Sequence, residues 1–196
     1  MTAAEAGSRD RILGAALALM SEHGVAGTSM RMLAGECGLN VATLYHHFPS
    51  KAELLAALLD ERAYDVLLAT AEPPAEVTGD GDAHVRLRRL VTWLWRSARD
   101  EEAVLRLLLG ESMRGEPGAR KAAEDLVDGI DGAVARWLGA VVPELGPGTP
   151  AVAGLVRSVL FGLITEHLAL GPDEARERSR IAHLVTAVLP GPPRRP

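Results

Sequence analysis

The chain has 196 residues and a mass of 20.8 kDa, a length typical of one or two domains. Apolar residues make up 47% of it and charged residues 24%, a balance that excludes disorder throughout the chain. A single cysteine excludes an intrachain disulfide framework and a multi-cysteine zinc site. The net charge of −5 argues against nonspecific binding of nucleic acid, which depends on a large positive field.

The compartment expected from the sequence is the cytoplasm. The chain begins without a basic stretch followed by an apolar run, so no signal peptide is expected. The single cysteine is compatible with a reducing cytosol. The most membrane-like stretch, residues 151–169, is interrupted by Arg157, Glu166 and His167, and we interpret it as a buried helix in water rather than a membrane span.

The acidic charge lies in the C-terminal three quarters of the chain. Residues 1–51 carry four basic and four acidic side chains, whereas the remainder carries 17 basic and 22 acidic ones. This asymmetry predicts two functionally different parts. The predicted boundaries are an N-terminal domain over 1–51, a linking helix over about 51–71, a C-terminal domain over 52–190, and a Pro-rich, disordered tail over 191–196.

Nearly every periodic segment has apolar residues at helical spacing, and no run alternates as a half-buried strand does. The predicted fold class is therefore all-α, with about nine helices. The first apolar stripe runs from Ile12 to Met20, and Gly24 is placed to end that helix. A second stripe runs from Met30 to Cys37, where we interpret the cysteine as a small buried hydrophobe.

Local signals place the remaining helix ends. Ser29 and Asn40 are placed to cap the second and third helices, and Pro49 stops the third. The capping box Ser50-Lys-Ala-Glu53 opens the fourth helix. Loops rich in Pro, Gly and Asp are predicted over 72–82 and 143–150, with helices over about 87–98, 102–113 and 123–141, and bundle-type apolar stripes over 152–168 and 181–189.

The second and third helices are too short to be stable alone in water, so they must pack on each other and on the first helix. They meet at a sharp turn that contains Gly38, which adopts positive φ at little cost. This is a helix-turn-helix, whose second helix enters the DNA major groove. Leu39, Leu44 and Phe48 are expected to face the small core, which leaves Ala42, Thr43 and His46 facing outward.

Three segments of this region carry a specific pattern. They are Thr28-Ser-Met-Arg-Met-Leu-Ala34, Cys37-Gly-Leu-Asn40 and Thr43-Leu-Tyr-His-His-Phe-Pro-Ser-Lys51. Together they resemble the DNA-binding domain of TetR-family transcriptional regulators, and the resemblance covers about residues 8–60. The layout of the whole chain is similar to the family as well. Val41 and Ala42 stand where many members carry a polar residue or Lys-Gly, which leaves fewer groups for reading bases.

The resemblance implies DNA contacts from the helix-turn-helix and from the start of the fourth helix. A cation at Lys51, beside free helix amides, would bind a phosphate, and the alternative is a solvated lysine. Tyr45 would reach a phosphate with its hydroxyl, and the alternative is a purely structural tyrosine. Adjacent histidine side chains diverge on a helix, so no metal site is predicted there. The predicted DNA-binding residues are Ser29, Arg31, Asn40, Val41, Ala42, Thr43, Tyr45, His46, His47 and Lys51.

For the C-terminal part, the resemblance implies a pocket for an unidentified small-molecule effector and a homodimer built from the last two helices as a four-helix bundle. The wide apolar stripes of those helices support the dimer independently, and the alternative is intramolecular packing alone. Predicted effector-binding residues are Trp95, Arg106, Leu109, Met113, Trp137 and His167, and predicted dimer-interface residues are Val152, Val156, Leu160, Leu163, Ile164, Ile181, Leu184 and Val188.

The sequence therefore predicts a TetR-like regulator, a repressor released from a palindromic operator by its effector. Its predicted partners are double-stranded operator DNA, the effector and a second copy of the chain, with no membrane and no cofactor. An effector-independent DNA-binding protein, a transcriptional activator and an all-helical enzyme stay open as alternatives. An enzyme is not expected, because the chain has no nucleophile elbow, phosphate loop or zinc-protease motif, and no catalytic residue or metal site is predicted.

Overall fold

The computed structural model describes residues 3–68, 73 and 75–189. Over these ranges the chain forms ten α-helices and one 3-10 helix and contains no strand, so the predicted all-α class is confirmed. The predicted disordered tail over 191–196 lies outside the described residues. The helices are α1 (Ala3–Gly27), α2 (Met30–Glu36), α3 (Val41–His47), α4 (Lys51–Leu68), α5 (Ala75–Thr78), α6 (Ala83–Asp100), α7 (Glu102–Met113), α8 (Pro117–Val141), α9 (Thr149–Leu170) and α10 (Glu174–Val188), with the 3-10 helix at Pro143–Gly148.

One helix more than the expected nine arises inside a predicted loop. Four residues of the stretch 72–82 form α5, and its Val77 is buried at 2% exposure. Helix α5 packs against α6. A composition rich in Pro, Gly and Asp indicates a loop correctly for most of this stretch, but it misses a single turn that one buried valine holds in place.

The chain forms two compact units that differ from the predicted domains. The first unit comprises Met1–Asp65 and Glu101–Leu126, and the second comprises Val66–Asp100 and Val127–Pro196. The first unit is larger than the domain predicted over 1–51, because α7 packs against α1. The periodicity of α7 shows that it has an apolar face but not which helix covers that face. The functional boundaries at 51 and 190 stay predictions.

The core of the first unit lies between α1 and the short helices that follow it. The chain leaves helical geometry at Gly24, where φ is 73°, so the predicted end of the first long helical run at this glycine is confirmed. The Arg9 guanidinium stacks over the Phe48 ring at 5.4 Å from its centroid and pairs with Glu61. Core side chains exposed by 2% or less include Ile12, Leu13, Ala16, Met20, Leu33, Leu44, Leu54, Leu55, Leu58 and Leu59.

Cys37 belongs to this core, as predicted. Its side chain is 6% exposed, and the thiol donates to the Arg11 carbonyl oxygen at 3.8 Å. Burial raises the pKa of the Cys37 thiol, because a thiolate there would lose its hydration. The residue is therefore a small buried hydrophobe rather than a reactive thiol.

The second unit is built on contacts among α6, α9 and α10. Asp173 caps α10 by accepting from the amides of Ala175 and Arg176, at 3.1 and 3.0 Å. The Arg86 Nε atom donates to the Val141 carbonyl oxygen at 2.8 Å, which satisfies the last carbonyl of α8. Apolar side chains from the three packed helices, together with polar bonds at the helix ends, thus hold this unit together.

Helix α9 is not the fully buried helix that its composition suggested. By length and composition, the stretch Pro143–Leu170 could cross a membrane, with a mean hydropathy of 1.4, although core helices of soluble proteins have the same composition. Only 28% of the most apolar segment of this stretch is buried within the chain. Helix α9 therefore buries one face and leaves several apolar side chains exposed: Leu155, Phe161 and Leu170 are 53%, 51% and 70% exposed.

Candidate nucleic-acid interface and effector site

The turn between α2 and α3 has the geometry that the sequence predicts. Gly38 has φ 63°, and its amide donates to the Gly35 carbonyl oxygen at 3.1 Å, while the Leu39 amide donates to the Ala34 carbonyl oxygen at 2.8 Å. These two bonds form the Schellman arrangement that ends a helix at a left-handed glycine. The turn therefore fixes the direction in which α3 leaves α2.

Side-chain caps fix the starts of α2, α3 and α4. Ser29 Oγ accepts from the Met32 amide at 3.2 Å, and Asn40 Oδ1 accepts from the Thr43 amide at 2.7 Å, so both predicted caps are confirmed. Ser50 Oγ accepts from the Glu53 amide at 3.1 Å. The Glu53 side chain also accepts a bond at Oε1, from the Ser50 hydroxyl at 3.2 Å. In a standard capping box the donor of this second bond is the backbone amide of the serine.

Helix α3 buries one face and exposes the other. Leu44 and Phe48 are 0% and 4% exposed and anchor the helix to the core. Tyr45 is 46% exposed, and Ala42 and His46 are exposed beside it. The exposed face of α3 carries no acidic side chain, so a polyanion can approach it without meeting a like charge.

Not every residue predicted to contact DNA is available in the same way. Thr43 is half-buried, and its hydroxyl donates to Asn40 Oδ1 at 3.0 Å, so it completes the cap of α3 instead of pointing freely outward. Val41 and His47 are also half-buried, whereas Arg31 on α2 is exposed. The structure thus brings Arg31, Ala42, Tyr45 and His46 to the surface of the helix-turn-helix.

Lys51 is used differently from the prediction. Its ammonium group donates to the carbonyl oxygens of Val25 at 2.6 Å and Thr28 at 2.9 Å. Both acceptors lie where α1 ends and the chain turns toward α2, and a cation there satisfies carbonyls that have no helical partner. Lys51 therefore ties the start of α4 to the end of α1 in the chain without DNA, and it is not the solvated lysine that stood as the alternative. Its predicted phosphate contact stays a prediction.

Two of the predicted effector residues meet in the second unit. The rings of Trp95 and His167 lie edge to face with centroids 5.8 Å apart, and Trp95 Nε1 donates to Glu177 Oε2 at 2.8 Å. His167 Nδ1 lies 3.9 Å from Glu177 Oε1, and Arg99 pairs with Glu177 at 3.4 Å. Sequence reasoning missed Glu177, which is 8% exposed, because it lies in a highly charged stretch that resembles a solvated helix face.

The space beside this cluster is small. A cavity of about 10 Å³ is lined by His167 and Glu177 together with Leu163, Glu166, Gly171, Asp173 and Arg176. A volume of this size holds about one water molecule. The cluster is therefore a buried polar contact beside a water-sized cavity, not an open pocket for a ligand.

The other four predicted effector residues lie elsewhere. Trp137 is buried and packs edge to face against Trp93, with centroids 5.6 Å apart. Arg106, Leu109 and Met113 belong to α7 in the first unit. Arg106 is exposed and pairs with Glu102, Leu109 is half-buried, and Met113 is 77% exposed.

The predicted dimer residues need correction. Five of them, Val156, Leu163, Ile164, Ile181 and Leu184, are buried within the chain itself at 6% exposure or less. Helices α6, α9 and α10 cover one another there, so a second copy has no access to these side chains. Val152, Leu160 and Val188 are half-buried. The stripe that periodicity identifies is mostly the core face, and the apolar side chains that α9 exposes stand beside it.

Among the residues that the structure describes, no three His, Cys, Asp or Glu side chains lie close enough to hold a metal ion. His46 and His47 are in contact through their rings, with centroids 5.9 Å apart and planes inclined at 66°. The polar groups that the helix-turn-helix exposes include the guanidinium of Arg31, the hydroxyl of Tyr45 and the imidazole of His46.

Comparison with known proteins agrees with this geometry. The profile of the family described as "Bacterial regulatory proteins, tetR family" matches residues 12–58, which contain α2 and α3. A helix-turn-helix transcriptional repressor from Streptomyces coelicolor is 30% identical over 123 residues, or 59% of this chain. The chain covers 62% of that relative's length.

Solved structures extend the likeness to the whole fold. A TetR-family transcriptional regulator from Mesorhizobium loti superposes with a TM-score of 0.78 at 19% identity, covering 96% of this chain and 97% of the other. A transcriptional regulator from Saccharomonospora viridis, solved in complex with choline, superposes with a TM-score of 0.71 at 24% identity, covering 92% and 96%. At these identities the superpositions establish a shared fold of an N-terminal helix-turn-helix and a C-terminal helical part.

Proposed function

We propose that this chain, a member of the TetR family of bacterial regulatory proteins, is a transcriptional repressor that binds palindromic operator DNA as a homodimer and is released by a small-molecule effector. The observation that carries the proposal is the exposed face of α3. It presents Ala42, Tyr45 and His46 on a helix whose other face is buried and whose ends are capped. Small and neutral side chains permit close approach to the major groove, and hydroxyl and imidazole groups supply donors to phosphates and base edges.

Two features support the homodimer: the short length of α3 and the apolar side chains that α9 exposes. A single α3 of seven residues spans too few base pairs to select one site, whereas a symmetric pair reads two half-sites about 34–36 Å apart. Leu155 and Phe161 are more than half exposed on α9, and Ser158 is exposed between them. An uncharged, apolar strip of this kind on a soluble chain is suited to burial against a second copy.

Release by an effector is supported by what the structural relatives bind. The Saccharomonospora viridis regulator was solved with choline, so the shared fold accommodates a small cation in that protein. We propose that a small organic molecule acts by favouring a conformation whose two α3 helices no longer match successive major grooves.

Selection from genomic DNA tests the proposal. Purified protein is incubated with fragmented genomic DNA of its source organism at low salt, and the recovered fragments are sequenced. Recovery of a palindromic site supports the proposal. No enrichment by a protein that is folded and dimeric contradicts it.

A matched pair of variants assigns the binding to α3. Ala42→Glu places a carboxylate on the exposed face of α3, and we expect it to abolish enrichment because phosphates repel the new charge. Ala140→Glu makes the same change at an exposed position of α8 in the second unit and should retain enrichment. Equal enrichment by the two variants would place the DNA interface elsewhere.

A further inference from the structure

The backbone of Val25 is held at both its amide and its carbonyl oxygen. It follows Gly24, where the chain leaves helical geometry with φ 73° and ψ 164°. Its amide donates to Glu111 Oε1 of α7 at 3.2 Å, and its carbonyl oxygen accepts from Lys51 Nζ of α4 at 2.6 Å. The backbone of one residue therefore connects α7 to the residue that starts α4, shortly before the helix-turn-helix begins at Ser29.

The turn around Val25 is closed by further bonds. The Thr28 hydroxyl donates to the Gly24 carbonyl oxygen at 2.9 Å, the Thr28 amide donates to the Val25 carbonyl oxygen at 3.3 Å, and the Thr28 side chain is buried at 1% exposure. The Thr28 carbonyl oxygen accepts from Lys51 Nζ at 2.9 Å. These bonds engage backbone and side-chain polar groups on both sides of Val25.

Glu111 is an unusual residue for its place. It is a glutamate, yet it is only 5% exposed and shares the buried face of α7 with Leu107 and Leu108. Burial of a carboxylate costs free energy that only specific partners offset. Its partners are the Val25 amide and Arg114 Nη1, the latter at 2.9 Å from the same Oε1 atom. An added Cβ at Gly24 would lie 3.7 Å from that oxygen, so the carboxylate packs directly on the glycine.

We propose that Glu111 is a positioning residue, which holds the helix-turn-helix in its DNA-reading orientation by fixing the Val25 peptide against α7. This inference rests on the proposed function. Helix α7 also carries Arg106, Leu109 and Met113, three of the residues that the sequence predicts to meet an effector. A displacement of α7 carries the Glu111 carboxylate with it, and the carboxylate pulls the Val25 peptide and, through Lys51, the start of α4.

Two conservative variants separate the reach of the side chain from its charge. Glu111→Asp keeps the charge but withdraws the carboxylate by one methylene from the Val25 amide. Glu111→Gln keeps an oxygen acceptor at the same reach but removes the charge that pairs with Arg114. Glu102→Asp is the matched control, since Glu102 lies on the same helix and pairs with the exposed Arg106. These small changes also avoid an empty site in the core, so the variants should fold.

The measurements are hydrogen exchange at the Val25 amide and affinity for the DNA site that the unmodified protein selects. We expect Glu111→Asp to speed exchange and to weaken operator binding, each about tenfold. Glu111→Gln should restore both to within about threefold of the unmodified protein, and Glu102→Asp should change neither. Sedimentation and circular dichroism on each variant check that dimer and helix content are retained.

The outcomes distinguish this inference from the proposed function. If the unmodified protein selects no DNA, the proposed function fails, and the inference fails with it. If the unmodified protein binds its site and Glu111→Asp binds equally well, only the inference fails. Equal losses in Glu111→Asp and Glu111→Gln would likewise overturn it, since an acceptor at the full reach to the Val25 amide would then fail to restore binding. Loss in Glu111→Asp with rescue in Glu111→Gln supports it.

Discussion

The ammonium group of Lys51 lies 2.6 Å from the carbonyl oxygen of Val25, and this bond joins the first residue of α4 to the end of α1. A lysine at the start of a helix, beside a DNA-reading helix, suggests a phosphate contact from sequence. In the folded chain without DNA, the same charge is already shared between two carbonyl oxygens. We therefore expect Lys51 to contribute to DNA binding by positioning α4 relative to α1, rather than as a free positive charge.

The first prediction concerns Lys51→Met. Removal of the ammonium leaves the Thr28 carbonyl oxygen without this donor and the Val25 carbonyl oxygen with the Thr28 amide at 3.3 Å. Hydrogen bonds to a charged group contribute about 1.5–3 kcal/mol each. We expect the free energy of unfolding in urea to fall by about 3 kcal/mol, the lower end of the sum of the two bonds, with DNA affinity reduced but its salt dependence unchanged. A phosphate contact behaves in the opposite way, because its loss makes the slope of log affinity against log salt less steep by about one.

Arg31→Met is the control for that experiment. Arg31 is exposed on α2, so its removal should change the stability by no more than about 0.5 kcal/mol and make the salt slope less steep by about one. A reduced slope for Lys51→Met with unchanged stability would show that Lys51 leaves the Val25 carbonyl and binds phosphate.

The second prediction concerns the Tyr45 hydroxyl. Tyr45→Phe removes one donor from a side chain that is 46% exposed. We expect about fivefold weaker DNA binding, as for the loss of one hydrogen bond, and unchanged stability. Because phosphate contacts carry no sequence information, the loss should be equal on the selected site and on unrelated DNA. A loss confined to the selected site would instead assign the hydroxyl to a base edge.

The third prediction tests the strip on α9. Phe161→Arg adds a charge to the exposed apolar face, where burial against a second copy would leave that charge unpaired. Sedimentation velocity should show a shift from dimer to monomer at micromolar concentration. Met113→Arg makes the same change at a side chain that is 77% exposed on α7 and should sediment as a dimer. A dimeric Phe161→Arg variant would exclude this strip from the interface.

The fourth prediction is a loss of stability in acid. The amide of Val85 holds the pKa of the Asp82 carboxyl below its usual value, and the amide of Arg176 does the same for Asp173. A carboxyl with a lowered folded pKa contributes stability that is present above its unfolded pKa and is lost as the pH falls through the folded value. The helices α6 and α10 should therefore lose stability below about pH 4, which is close to the unfolded pKa of aspartate.

Thermal unfolding followed by circular dichroism between neutral and acidic pH measures this effect. The double variant Asp82→Asn and Asp173→Asn keeps a cap at both helix starts but removes the titration. Its melting temperature should depend less on pH than that of the unmodified protein. An identical pH dependence in the two proteins would show that other carboxyl groups control the acid transition.

Sequence reasoning predicted the helix-turn-helix well because its signals are local. The Ser29 and Asn40 caps and the turn at Gly38 depend on residues at most five apart. Chemistry of this kind forms in the same way whatever the rest of the chain does. The positions of these elements and the residues on the buried face of α3 could therefore be predicted.

Contacts between distant segments could not be predicted in this way. Glu111 lies 86 residues from Val25, and Glu177 lies 82 residues from Trp95. Glu177 lies in a charged stretch that resembles a solvated helix face. Glu111 continues the apolar spacing of Leu107 and Leu108, but that spacing does not show that its partner is the Val25 amide. The same limit applies to α9, because periodicity identifies an apolar stripe but not whether the chain or a second copy covers it.

The aromatic residues divide between the two compact units in a way that has an optical consequence. Trp93, Trp95 and Trp137 all belong to the unit of Val66–Asp100 and Val127–Pro196, whereas Tyr45 and Tyr64 belong to Met1–Asp65. Light absorbed by tryptophan alone therefore excites the second unit and not the unit that contains α3. The intrinsic tryptophan emission of the unmodified chain reports events in the second unit separately from events at α3, without a dye or an introduced residue.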